Sequence, residues 1–318
     1  MDDILNALGD SDETREGELS PEQEQELVAQ VEQQVRDALQ RKLVFLLTGR
    51  TGVGKSSTIN TLLGREIAPV GDYEPETAEV VPYEARIEGI ACTVIDTPGL
   101  CDELPEKGND DRYLNEIREK IRTVDCVWFV TRLDEGRVRS DEMSGIQMIS
   151  TALGNELWQH AIIVFTFSNN VPCNRFKETL EVRTRLIREQ IARYAAPGVA
   201  DAIPAVAVDN LHEYTHDGRQ WLGRLYLQML KRISGKGAQP FTLLLLPRVE
   251  VDDSSHPSGY TSGWSSSSSY SAPIRVSKSE FREALESTWY DMKRLASVSA
   301  DRARSAVQSA WSKVKSWF

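Results

Sequence analysis

Residues 42–64 read KLVFLLTGRTGVGKSSTINTLLG. Leu43 to Leu47 is a short apolar run of the kind that forms a buried strand. GRTGVGKS follows and fits G-x-x-x-x-G-K-[ST], with Gly49, Gly54, Lys55 and Ser56 at the fixed positions. Ser57 to Leu63 then carries Ile59, Leu62 and Leu63 at helical spacing. Strand, glycine-rich turn and helix, in that order, make the setting a phosphate-binding loop needs. Glycines let the backbone turn its N–H groups toward a phosphate without Cβ clashes, and the helix N-terminus adds partial positive charge. Lys55 brings a full positive charge to the β- and γ-phosphates, and Ser56 offers a hydroxyl to Mg²⁺. Gly49, Arg50, Thr51, Gly52, Val53, Gly54, Lys55, Ser56 and Ser57 are therefore the candidate phosphate cradle.

Downstream, the pattern alternates. Val81, Tyr83, Ala85 and Ile87 have the period of a strand, and Glu88-Gly89 turns it into a second strand, Ala91 to Ile95. Further strands are expected at Cys126 to Val130, Ala161 to Phe167 and Ile203 to Val208. Helices are expected at residues 112–122, Asp141 to Leu153, Phe176 to Tyr194 and Trp221 to Ile233. This alternation predicts an α/β fold: a three-layer, doubly wound and mainly parallel sheet over residues 41–236, with added N- and C-terminal helices. Its ligand belongs beyond the carboxyl ends of the strands. The cradle, Asp96 to Gly99, Thr166 to Asn170 and Asp209-Asn210 all follow strands.

Asp96-Thr97-Pro98-Gly99 lies 41 residues after Lys55. A carboxylate there holds the Mg²⁺ shell, and the Gly99 N–H meets a γ-phosphate. Behind a phosphate-binding loop, this D-x-x-G points to a GTPase, with an ATP-preferring enzyme as the alternative. Thr77, in a loop marked by Pro69, Gly71 and Pro75, is the candidate to close on Mg²⁺ and the γ-phosphate. Ser56, Thr77 and Asp96 are thus the expected Mg²⁺ set. Leu100 occupies a position where some GTPases keep a glutamine to orient water, so slow hydrolysis is expected. Guanine is commonly read by [NT]-K-x-D after a strand, but this chain has Thr166-Phe167-Ser168-Asn169-Asn170. Phe167 is a candidate to stack on the base, and Asp209 and Asn210 are candidates for its polar edge.

Taken together, GRTGVGKSSTINTLLG, VIDTPGL, LDEGRVRSDEMSGIQMISTALGNELWQHAIIVFT and VAVDN resemble the septin-related AIG/Toc-type GTPases over roughly residues 40–235. These include the plastid outer-envelope import receptors and the immunity-associated GIMAP-like GTPases. The resemblance implies a G domain that binds GTP or GDP with Mg²⁺. It implies guanine contacts from the strand-end pair matched by Asp209-Asn210. It also implies a homodimer across the nucleotide face, in which the arginine matched by Arg137, in Leu133-Asp134-Glu135-Gly136-Arg137-Val138, reaches the partner's nucleotide. The family's histidine in the base motif is Phe167 here. The family's C-terminal membrane span has no counterpart, so an import-receptor role is not expected.

The chain has 318 residues, 40% hydrophobic and 27% charged, as suits a globular core with polar additions. Its net charge of −11 sits mostly in residues 1–40, which hold twelve acids and two arginines. The remainder is near neutral, and nucleic acid is not the expected partner. The acidic start, MDDILNALGD, does not read as a signal peptide, and four scattered cysteines read as reduced core thiols, so a cytoplasmic location is expected. Residues 1–19 read as a disordered acidic leader and 20–40 as an amphipathic helix capped by Ser20. Residues 237–251 read as an extension and 252–279 as a flexible Ser/Gly-rich linker. Residues 280–318 trace an amphipathic helix with Trp289, Trp311 and Trp317, which either packs on a helix or lies peripherally on a membrane. The functional alternative to a slow GTPase switch is a non-hydrolysing, GTP-dependent scaffold or membrane-recruitment module.

Overall fold

The computed structural model describes residues 20, 22, 25–26, 29, 33, 42–63, 81–87, 90–96, 115, 118–119, 121, 123–233, 249–252 and 274–277. A six-stranded sheet organises them, in the order β2-β3-β1-β4-β5-β6. Its strands are β1 (Leu43–Thr48), β2 (Val81–Ile87), β3 (Ile90–Asp96), β4 (Cys126–Arg132), β5 (Ala161–Thr166) and β6 (Ala205–Ala207). β1 pairs parallel with both β3 and β4, and β5 joins β4 and β6, also parallel. Only β2 runs antiparallel, as a hairpin partner of β3 at the sheet edge. The expected doubly wound α/β sheet is the observed one.

Burial explains the strand sequences. LVFLLT, CVWFVT and AIIVFT are near-continuous apolar runs because both faces of a central parallel strand are covered. Leu43, Phe45 and Leu47 face one core with Trp128, Ile59 and Leu62, and with Trp221, Leu225 and Met229. Leu46 faces the other with Phe129, Ile146, Ile149, Ile187 and Ile191. Four helices supply those layers: α1 (Lys55–Leu63), α2 (Ser140–Leu153), α3 (Cys173–Ile191) and α4 (Trp221–Arg232). At the edge, β2 exposes Pro82, Glu84 and Arg86 and buries Ala85. That alternation suits a one-sided strand.

Several boundaries move for local reasons. β5 ends at Thr166 because Phe167 takes a left-handed backbone, φ 53° and ψ 33°. β6 is shorter than Ile203 to Val208, since Ile203 caps the helical turn Val199–Ala202. α3 starts earlier, at Cys173 after Pro172, and stops at Ile191. Asn115, Arg118 and Glu119 are helical within the expected 112–122 helix, as are Glu22, Gln25, Glu26, Ala29 and Gln33 within 20–40.

One expectation needs correction. The stretch 252–279 is not flexible linker throughout, because Ile274–Ser277 forms strand β8, parallel to β7 (Val249–Asp252) in a separate two-stranded sheet. The Ile-Arg-Val alternation at its end outweighs the serine-rich composition before it. The Arg275 N–H donates to Gln220 Oε1 at 2.7 Å, which ties β8 to the start of α4. Residues 1–19 and 278–318 lie outside the described residues, as do Thr77, Gly99 and Leu100. Among the described residues, no helix is long and apolar enough to cross a membrane.

Candidate functional site

β1 is flanked by β3 on one side and β4 on the other, so the chain's direction of winding reverses beside it. A crevice at such a switch point is where open α/β sheets bind ligands. The turn leaving β1 enters it. A Cβ at Gly49 would stand 2.1 Å from the Val130 carbonyl oxygen, so no other residue fits that close passage. Gly54, at φ +88°, also needs its glycine freedom, and a Cβ there would meet Thr166 Cγ2 at 3.5 Å. Val53 is buried in the core and anchors the middle of the loop.

The Lys55 ammonium folds back over the loop, donating to the carbonyls of Gly49 at 3.1 Å and Arg50 at 3.2 Å. Lys55 is 7% exposed, so its charge is held at the loop rather than in solvent. Arg50 turns the other way. Its guanidinium pairs with Glu135 and lies 3.5 Å from the Asp141 carboxylate, which ties the loop to the segment after β4.

Sequence reading places Ser56 and Asp96 on a common Mg²⁺, and the fold brings them together. The Ser56 hydroxyl donates to Asp96 Oδ2 at 3.0 Å. Asp96 is fully buried, and its Oδ1 has no hydrogen-bond partner among the described residues. Burial pushes its carboxyl above the usual range, against the opposing pull of Lys55 and the Ser56 hydrogen bond. A buried, partly unpartnered hard oxygen next to a serine hydroxyl fits Mg²⁺, which favours such donors and neutralises the buried charge.

The residues expected at the base lie where the ends of β5 and β6 meet the start of α1. A cavity of about 420 Å³ is lined by Gly54, Ser57, Asn60, Thr61, Thr166, Phe167, Asn169, Asp209, Asn210 and Leu211. Phe167, Asp209 and Asn210 are therefore brought to one place, beside the cradle. The Asn210 amide donates to Thr58 Oγ1 at 3.1 Å, while its buried Oδ1 has no partner among the described residues. Thr58 is itself fixed, donating to the Gly54 carbonyl at 2.9 Å. Thr166 Oγ1 donates to the Val53 carbonyl at 2.6 Å, joining the base end to the phosphate loop.

Asp209, expected to contact the guanine edge, lines the cavity and also serves the turn that follows β6. Its Oδ1 accepts the Leu211 N–H at 3.0 Å, and His212 Nδ1 lies 2.9 Å from its Oδ2. Both oxygens already hold the turn after β6, in the manner of an Asx turn.

Sequence reading missed the network behind the loop after β4. Arg183, from α3, is 1% exposed. It donates to the Arg137 carbonyl at 2.8 Å, to Glu142 Oε1 at 2.9 Å and to Thr131 Oγ1 at 3.1 Å. Glu142 Oε2 in turn accepts the Arg139 N–H at 2.8 Å. Arg137 itself is exposed at the loop surface, and its guanidinium has no hydrogen-bond or ion-pair partner among the described residues. The missed residues carry no motif, and the only sequence signal was that an arginine on the apolar side of α3 needs a partner.

Residues 43–196 match the AIG1 family. The AIG1 region ends before β6 and before Asp209-Asn210, although α4 completes the same core. The chain is 36% identical to GTP-binding protein A of Dictyostelium discoideum over 174 residues, covering 53% of this chain and 36% of that one. It is 30% identical to Translocase of chloroplast 34 of Pisum sativum over 177 residues, 53% of this chain and 56% of that one. The chain thus spans between about a third and just over half of these two relatives. Toc33 of Arabidopsis thaliana, solved with GDP and Mg²⁺, shares the fold at a TM-score of 0.52 and 22% identity, over 70% of this chain and 91% of that one.

Proposed function

We propose that this chain binds GTP with Mg²⁺ and hydrolyses it slowly to GDP and phosphate, acting as a nucleotide-dependent dimerising switch. The observation that carries the reading is the meeting of Ser56 and the buried Asp96 beside a P-loop closed by Lys55. The AIG1 match over residues 43–196 and the name of the Dictyostelium relative support guanine nucleotide as the ligand.

Lys55 holds positive charge where the β- and γ-phosphates enter, and the loop N–H groups donate to their oxygens. Mg²⁺, when bound, neutralises charge that builds up on those oxygens in the transition state. Ser56 and Asp96 orient its shell, with Thr77 and the Gly99 N–H proposed to sense the γ-phosphate. Leu100 offers no side-chain donor or acceptor to orient water, which is the physical ground for slow turnover. Asn210 Oδ1 is a free acceptor for a purine N–H, and Asp209 keeps lone pairs for a second bond. Phe167 offers an aromatic face to the base.

Arg137, exposed and held by its backbone, is proposed to reach the partner's nucleotide across a homodimer. The proposed location is cytoplasmic, with residues 280–318 touching a membrane peripherally and no nucleic acid bound. Liposome flotation with Trp311 and Trp317 replaced by alanine tests the membrane contact. Phosphate release from the purified chain, with Lys55→Ala as control, tests hydrolysis. Release equal in both proteins would leave a GTP-dependent scaffold. Sizing with GDP and with a non-hydrolysable GTP analogue tests the switch, and a monomer in both states would end it.

A further inference from the structure

At the proposed base end, the backbone of Phe167 is left-handed, a conformation that non-glycine residues adopt at a cost. Such a residue persists only where its surroundings hold it. The holding group comes from the neighbouring strand. The Arg132 guanidinium carbon sits 3.7 Å from the centre of the Phe167 ring, close enough for a strong cation–π contact. β4 and β5 pair Arg132 with Thr166, so the two side chains leave adjacent strands side by side.

Arg132 is itself clamped. Its Nε and Nη2 donate to Asp134 Oδ1 and Oδ2 at 2.9 and 2.7 Å, a bidentate fork that fixes the guanidinium plane. Asp134 is fixed in turn by the Asn170 amide at 2.8 Å, three residues beyond Phe167. A closed ring of contacts therefore runs from Arg132 through Asp134 and Asn170 back to the Phe167 turn. Phe167 lines the cavity, and the Arg132 guanidinium lies over its ring.

We propose that Arg132 is a positioning residue for the nucleotide base. It backs Phe167 with a cation and locks the ring into a stacking platform that a purine meets on its open face. This rests on the guanine-nucleotide reading and deepens it. Where a polar base motif would use a lysine stem beside the base, this chain uses an aromatic ring braced from behind by an arginine fork. Arg132 touches the base only through Phe167, and the Asp134–Asn170 pair is part of the brace.

The test is a titration of the full chain with GDP and Mg²⁺, run in parallel with tripolyphosphate and Mg²⁺ as a probe lacking the base. Arg132→Ala is expected to weaken GDP roughly five- to tenfold and to leave tripolyphosphate unchanged. Arg132→Lys, which keeps a cation without the fork, recovers part of that loss. Asp134→Asn, which loosens the fork without removing the cation, gives a smaller loss of the same base-dependent kind. In a Phe167→Ala background, Arg132→Ala has no further effect on GDP. Arg132→Ala binding GDP as tightly as the unmodified chain would overturn the proposal, as would equal losses for GDP and tripolyphosphate. If Phe167→Ala weakens GDP while Arg132→Ala does not, the platform stands and the brace fails. If the unmodified chain binds tripolyphosphate and GDP equally, the guanine reading fails and the platform with it.

Discussion

The two ends of the candidate site are built in different ways. The phosphate end is made from one contiguous turn, residues 49–56, and one carboxylate, Asp96. Its shape is fixed by glycine, as the 2.1 Å approach at Gly49 shows. The proposed base end is made from side chains after two strands, Phe167 after β5 and Asp209 and Asn210 after β6, with Arg132, Asp134 and Thr58 behind them. A turn of backbone tolerates little change in sequence, whereas a set of braced side chains admits many solutions to one task. A base site lacking the usual motif can therefore sit beside a phosphate loop that has it.

The sharpest way to separate the two ends is to break the phosphate end first. Lys55→Ala removes a charge-assisted donor at the phosphates and should weaken GDP and tripolyphosphate alike, by about 100-fold or more. Isothermal titration with both probes reads it, and a loss confined to GDP would assign Lys55 to the wrong end. The segment joining the ends can be broken next. Arg183→Met leaves Glu142 buried without its cation, which should cost about 3–5 kcal/mol in urea unfolding. Replacing both, as Glu142→Leu with Arg183→Met, should recover much of that loss. An Arg183→Met protein as stable as the original would mean the pair does not anchor the loop that carries Arg137.

At the base end, Asn210→Ala removes the free Oδ1 and the tie to Thr58. It should lower GDP affinity about tenfold while sparing tripolyphosphate, as read by the same titration. Equal losses for both probes would place Asn210 in the scaffold alone.

Asp96 gives the smallest effect on stability and the clearest pH signature. Burial holds its carboxyl above the ordinary carboxylate range in the folded chain. A raised folded pKa makes its contribution to stability fully present below the unfolded pKa and lost as pH rises through the folded one. Without Mg²⁺, Asp96→Asn should therefore be the more stable protein at neutral pH, by about 2–4 °C in Tm, with the gap closing under acid conditions. The same variant should lose the Mg²⁺ dependence of nucleotide binding. A Tm that falls at neutral pH would show that Ser56 and Lys55 already compensate the buried charge.

How much of this was legible follows from the same contrast. The sheet, its edge hairpin and its helices could be read because both-face burial writes continuous apolar strands such as AIIVFT and one-face burial writes alternation in β2. Ser56 and Asp96 could be paired because Ser56 follows β1 and Asp96 ends β3, its parallel neighbour. Phe167 could be read as a site residue, but not its left-handed turn, because no glycine or asparagine marks it. Arg132, Asp134 and Arg183 were out of reach for another reason. Arg183 meets Glu142 across 41 residues and Thr131 across 52, and only the folded register of α2, α3 and β4 brings them together. Asp209 reads as a candidate ligand because it ends a strand, but the turn that its two oxygens hold with Leu211 and His212 carries no sequence mark.

The central proposal is a guanine-selective site beside the Lys55 phosphate loop, and displacement of labelled GTP from the full chain in the presence of Mg²⁺ tests it most directly. Unlabelled GTP should displace the label at concentrations about 100-fold below those needed of ATP, since a base site that hydrogen-bonds one purine edge leaves groups unpaired with the other. Equal displacement by ATP would contradict the account, leaving a phosphate loop without a guanine reader.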